Sequence, residues 1–218
     1  MTASVIVVSV QAGSGGYAIA HQVAERLGMR YYDWEITSEA AARAGVPPNE
    51  VMAAEHVPGI LERMMRRLGS VSAVGVEGSP AFNEPTPATW TSAMQSMSSE
   101  DYRDFIGRVV QELADRGDAV IVGHAAQQTL KDRPGVVRVL THGSLGVRAE
   151  RLAGEQDIDR QQAEAAIKQA DRDRTELFKR VYHFDWMDAE MYELALNTDR
   201  LTVEFAVETI VMAAKTVP

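Results

Sequence analysis

The sequence predicts a three-layer α/β/α protein in which a parallel sheet of about five strands is covered by helices on both faces. Short apolar runs rich in β-branched residues alternate along the chain with amphipathic stretches of helical period. The apolar runs are continuous, as strands buried on both faces require. The first of them runs into a glycine-rich turn that opens a helix, which is the start of a unit with a right-handed crossover.

The elements follow in order. Val5 to Val10 is a buried strand that meets Gln11-Ala12-Gly13-Ser14-Gly15-Gly16. Ile19, Val23 and Leu27 then fall at four-residue spacing beside Ala20 and Ala24, while His21, Gln22, Glu25 and Arg26 take the other face; Gly28 stops this helix. Tyr31-Tyr32-Asp33 is a short second strand or its end. Helices are expected over 38–44, stopped by Gly45, and over 51–68, broken at Pro58. Over 69–99 the periodicity fails and Ser, Gly, Pro, Asn and Thr dominate, with Trp90, Met94 and Met97 as isolated apolar anchors, so a flexible loop is expected.

Order resumes with a helix over 100–116, whose apolar face is Phe105, Val109, Val110 and Leu113, and Gly117 ends it before the strand Ala119-Val120-Ile121-Val122. A helix over 125–131, a strand over 136–140 and a helix over 145–152 follow. The longest helical candidate, 159–182, carries Ala163, Ala166, Ile167, Ala170, Leu177 and Val181 on one side and most of its charges on the other. A last strand over 194–197 leads to a helix over 203–214.

Composition narrows the function. The 218 residues, 45% hydrophobic and 24% charged, suit one domain over 1–218. With 31 acids against 22 bases the net charge is −9, without the basic footprint of a nucleic-acid binder. The lysines are Lys131, Lys168, Lys179 and Lys215, none in the first half of the chain. Zero cysteines exclude disulfides and thiolate chemistry. No apolar run approaches the roughly 20 residues that cross a bilayer, and no leader pattern opens the chain, so a cytoplasmic protein without membrane contact is expected. The five histidines are dispersed, which argues against structural zinc, and no G-x-S-x-G elbow surrounds Ser14.

Chemistry is expected at the carboxyl end of the first strand, where an open parallel sheet binds its ligands and where backbone N–H groups at a helix head favour an anion. The glycine turn matches neither common fingerprint. G-x-G-x-x-G needs glycine at 18, where alanine stands, and G-x-x-x-x-G-K-[ST] needs Lys at 16 and a hydroxyl residue at 17, where Gly16 and Tyr17 stand. A tight βα connection and a phosphate cradle both remain open; the position after the first buried strand favours the cradle.

Several segments together resemble the cytidylate kinase-like family, relatives of the P-loop nucleoside monophosphate kinases. They are the stretch from Val8 to Ala20 with its GSGG turn, Leu27-Gly28 followed by Tyr31-Tyr32-Asp33, and Glu112-Leu113-Ala114-Asp115-Arg116-Gly117 leading into Val120-Ile121-Val122-Gly123-His124-Ala125-Ala126. Trp186 with Tyr192, Leu196, Asn197, Thr198 and Leu201 completes the set. The resemblance implies a P-loop-like fold with a helical lid over 148–182, an acceptor-side loop over 69–99, and transfer of the γ-phosphoryl of ATP, with Mg2+, to a nucleoside monophosphate. It assigns Gly13, Ser14, Gly15, Gly16 and Tyr17 to the ATP phosphates and Arg172 and Arg174 to the transferring charge. Asp33 is assigned to the reaction, through water-mediated Mg2+ or the acceptor, and Arg63, His124 and Asp173 to the acceptor.

Tyr17 and His124 stand where the family often carries arginine, so a catalytically impaired nucleotide-binding regulator or scaffold is the alternative. Successive helical residues point about 100° apart, so Arg172 and Arg174 cannot share a direction, and one of them is expected to face solvent. A solvated charged face is the plainer account of these arginines and of Arg63, Arg66 and Arg67; Asp33 as a helix cap and His124 as a turn residue are the plainer accounts there. Small nucleotides are the expected partners, and association into a homo-oligomer is left open.

Overall fold

The computed structural model describes residues 3–33 and 99–216. Five strands, β1 (Val5–Val10), β2 (Arg30–Tyr32), β3 (Ala119–Val122), β4 (Val136–His142) and β5 (Leu194–Asn197), form one parallel sheet in the order β2-β3-β1-β4-β5. Val5 aligns with both Ala119 and Val136, which puts β1 at the centre with no exposed edge. All six of its residues are buried, and this is why its sequence reads as an unbroken apolar run.

The two faces of the sheet sort by parity along β1, because successive side chains point to opposite sides of a strand. Val5 and Val7 pack with Ile121 against Ile106, Val109, Val110 and Leu113 of helix α2 (Ser99–Asp115). Ile6, Val8 and Val10 face Ile19 and Val23 of α1 (Gly16–Leu27) together with Val207 and Ile210 of the last helix, α6 (Val203–Thr216). Helices therefore cover both faces, as expected. A short α3 (Ala126–Thr129) follows β3, and α4 (Leu145–Gln156) and α5 (Arg160–Leu177) pack against each other between β4 and β5.

Several boundaries depart from the sequence expectation, among them the strand expected over 136–140, which runs to His142, and the last helix, which runs to Thr216. The helix expected over 125–131 is a single turn, because His124 and Ala125 are held at φ 54° and 50° and delay its start. The helix expected to stop at 152 runs to Gln156 and closes at Asp157, with φ 52°. The long helix keeps α geometry to Leu177 and then widens into a π turn over Phe178–Tyr182, which buries both Phe178 and Val181. The helices expected over 38–44 and 51–68 lie outside the described residues, as does the loop expected over 69–99 except for Ser99, the first residue of α2. Among the described residues no helix is long and apolar enough to cross a membrane.

Candidate active site

Strand β1 delivers the chain to the glycine turn at the carboxyl edge of the sheet, between β3 and β4. Gly13 is at φ 74°, and a Cβ there would stand 2.6 Å from the carbonyl oxygen of Arg148, so backbone conformation and space both demand glycine. Gly16 is excluded from carrying a side chain by packing alone: a Cβ would lie 2.1 Å from Thr141 Oγ1 and 2.7 Å from a methyl of Val10. The head of α1 is thus pressed onto β1 and β4, and the position where a P-loop has its lysine has no room for one. Ser14, 1% exposed, shares a 3.0 Å hydrogen bond with the Thr141 hydroxyl, which lies 3.4 Å from the Ser9 carbonyl. The Ser14 hydroxyl is therefore committed to the strand beneath it.

The head of α1 has Gly15 as its cap residue at φ 76°, with no side-chain cap and no acidic residue in the first turn. Its N–H groups and the positive end of its dipole face the carboxyl edge of the sheet. Three arginines hold the adjoining carbonyls. Arg148 Nη1 donates to Ala12 O at 2.9 Å, Arg151 Nη1 to Gly13 O at 2.8 Å and Arg174 Nη1 to Val10 O at 2.7 Å. Carbonyl oxygens repel an anion, and in a trans peptide the N–H points opposite to the C=O. Turning these carbonyls onto guanidinium groups favours negative charge at the loop.

The arginines differ in what else they touch. Arg148, 3% exposed, also donates from Nε to Gly143 O at 2.9 Å and pairs with Asp171 at 2.7 Å, tying α4 to α5. Arg151 donates on to Thr198 O at 3.2 Å, linking the glycine turn to the end of β5. Beyond that link is a cleft of about 500 Å³ lined by Asn197, Asp199, Arg200 and Leu201. Arg174 lies with its guanidinium 4.5 Å from the Trp186 ring and 5.7 Å from that of Phe178.

The residues singled out from the sequence fall into separate groups. Gly13, Ser14, Gly15, Gly16 and Tyr17 form the turn and helix head, with Arg174 beside them; Tyr17 is 51% exposed. Arg172 is exposed and donates to Gln169 Oε1 at 2.7 Å, and Asp173 accepts from Gln169 Nε2 at 2.6 Å. The helical phase that turns Arg174 inward turns Arg172 out. Asp33 and His124 meet at the ends of β2 and β3, where His124 Nε2 donates to the Asp33 carbonyl at 3.0 Å, which requires the Nε2–H form of the ring. Arg63 lies outside the described residues.

Arg148 and Arg151 were not apparent as site residues. The available signal was the placement of Arg148 next to Ala149 and four residues before Leu152, both buried, an arginine inside the apolar stripe of its own helix. The role of Trp186 had no local signal, since it depends on a helix folding back over it.

Fold and site define a class: doubly covered parallel α/β proteins with an uncapped glycine turn at the head of the first helix, backed by arginines. Within that class the chain belongs to the cytidylate kinase-like family, whose model matches residues 5–200. A cytidylate kinase of Methanopyrus kandleri is 29% identical over 116 residues, which span 48% of this chain and 60% of that protein. A crystal structure of an uncharacterized protein from Eubacterium ventriosum matches with a TM-score of 0.65 at 17% identity, over 96% of this chain and 97% of that one, a likeness of fold alone. A shikimate kinase from Bacteroides thetaiotaomicron matches with a TM-score of 0.48 at 14% identity over 96% of each chain.

Proposed function

We propose that the protein is an ATP-dependent phosphotransferase that moves the γ-phosphoryl of ATP to a nucleoside monophosphate. The observation that carries this reading is the uncapped head of α1, set at the carboxyl edge of the central strand with its neighbouring carbonyls withdrawn onto Arg148, Arg151 and Arg174. Phosphoryl transfer needs little covalent chemistry from a protein and much positioning and charge stabilisation. Backbone N–H groups of Gly13, Gly15, Gly16 and Tyr17 hold the ATP phosphates, the Ser14 N–H being donated to the Gln11 carbonyl, and Arg174 supplies the cation that lysine provides elsewhere. The cleft at Asn197, Asp199, Arg200 and Leu201, joined to the turn through Arg151, takes the nucleoside end of ATP. His124 and Asp33, bonded across the ends of β3 and β2, are assigned to the acceptor, and Asp173, Arg63 and the 69–99 segment are assigned to it by the family resemblance alone.

Among the described residues no three of His, Asp and Glu gather as a metal site. Mg2+ is proposed to arrive on the nucleotide, since this ion keeps several waters and takes few protein ligands. Asp33 is the carboxylate suited to meet it through water. The ion, when bound, neutralises phosphate charge; this chain's residues bind and orient the nucleotide around it.

Purified protein incubated with ATP, Mg2+ and CMP, UMP or dCMP in a coupled ADP-release assay is expected to turn over at least one acceptor. No turnover above background with any of them overturns the kinase reading. The closed space at Gly16 favours one second reading, a nucleotide-binding regulator without catalysis, for which calorimetry would show ATP binding without turnover. Small nucleotides, not nucleic acid or membrane, are the proposed ligands, and α4 with α5 the lid over them.

A further inference from the structure

We propose that Trp186 is a positioning residue for Arg174, holding a cation at the phosphate site without neutralising it; the inference rests on the nucleotide reading above. An arginine that must meet an anion faces two opposed demands. A flexible guanidinium loses rotamer entropy on binding, and a carboxylate that fixes it in advance cancels the charge it is meant to present. Arg148 shows the second outcome: its guanidinium is fixed and paired with Asp171. Arg174 is fixed differently. Its single hydrogen bond among the described residues goes to the Val10 carbonyl, and its guanidinium lies 4.5 Å from the indole of Trp186 and 5.7 Å from Phe178. An aromatic face attracts a cation through its quadrupole and leaves the net charge intact.

Trp186 is itself immobilised. It is 1% exposed, its Nε1 lies 3.4 Å from the Thr175 hydroxyl, and its carbonyl accepts from the Tyr192 hydroxyl at 2.6 Å. Thr175 in turn donates to the Asp171 carbonyl of α5, one helical turn earlier. The ring is therefore pinned both to the helix that carries Arg174 and to the segment leading into β5. Its orientation, and with it that of the guanidinium, is set before any ligand arrives.

The test uses the full chain and two variants, Trp186→Phe and Trp186→Leu, with thermal melting to confirm that each is folded. In the wild type the Hε resonance of Arg174, assigned by its loss in Arg174→Lys, is expected upfield of free arginine because of the indole ring current, and to return toward the free position in Trp186→Leu. ATP affinity by calorimetry is expected to fall about tenfold in Trp186→Leu and only about threefold in Trp186→Phe, which keeps an aromatic face. With Trp34 and Trp90 replaced by Phe, Trp186 emission is expected to change on adding ATP.

An Arg174 resonance at the free position in the wild type overturns the contact. That measurement needs no ligand and stands even if Trp186→Leu fails to fold. A folded Trp186→Leu that binds ATP within twofold of the wild type overturns the positioning role while leaving the nucleotide reading intact. A wild type that binds no ATP overturns the nucleotide reading, and Arg174's task falls with it.

Discussion

Two turns leave the same edge of the sheet, and they are built in opposite ways. After β1 the chain turns through Gly13 and Gly15, both at left-handed φ and free of Cβ, and enters a helix of 12 residues. After β3 it turns through Gly123, His124 and Ala125 at φ 78°, 54° and 50°, and enters a helix of 4 residues. The second turn forces two ordinary residues into a conformation that costs roughly 1–2 kcal/mol each. The first avoids that strain and instead needs three arginines to hold its carbonyls. Glycine gives the first turn its positive φ at no steric cost, whereas the second turn holds His124 and Ala125 there against the Cβ penalty.

The largest test of this contrast removes a brace. Arg148→Ala leaves the Ala12 and Gly143 carbonyls and the Asp171 carboxylate, all half-buried, without their partner, and a loss of about 1.5–3 kcal/mol is expected in urea unfolding. A loss below about 1 kcal/mol would mean that the first turn holds itself. Gly16→Ala comes next: its methyl meets Thr141 and Val10, and overpacking of this kind costs about 1–3 kcal/mol. Gly16→Lys is expected to fare worse and to gain no turnover, so a lysine variant with raised activity would refute the account of why lysine is absent.

In the second turn the expected effect is small. Ala125→Gly relieves about 1–2 kcal/mol of strain but loses a buried methyl worth about 0.8 kcal/mol and adds unfolded-state freedom of 0.4–1 kcal/mol, so the melting temperature is expected to stay within a few degrees. A large loss would show that Ala125 is unstrained, and the two turns would then be alike. The smallest effect concerns the aromatic cluster beneath this turn, where Tyr192 packs with Ala125, Phe178 and Trp186. Burial pushes the Tyr192 hydroxyl above its ordinary 10.0, against the positive charge of Arg174, which lowers it. The folded protein then holds this proton more tightly than the unfolded chain. Its contribution is complete below pH 10 and is lost as pH rises through the folded value. Unfolding followed from pH 9 to 11 should show a steeper alkaline decline for the wild type than for Tyr192→Phe; parallel declines would remove Tyr192 as its source.

Much of this architecture is written locally. Val5 to Val10 declares a strand buried on both faces, the GSGG turn declares a tight connection that opens a helix, and the phase of α5 declares that Arg172 and Arg174 diverge. Each is a property of neighbouring residues and needs only strand or helix periodicity to be read. Folding decides which of the two arginines faces inward, that Gly16 has no room for lysine, that Arg148 and Arg151 brace the glycine turn, and that Trp186 lies under Arg174. Those outcomes rest on partners far apart in the chain: Ala12 with Arg148, 136 positions away, Gly13 with Arg151, 138 away, and Val10 with Arg174, 164 away. A residue pattern encodes what its own segment buries, whereas the direction of a guanidinium is set by surfaces that come together only when the sheet closes and the last helices pack across it.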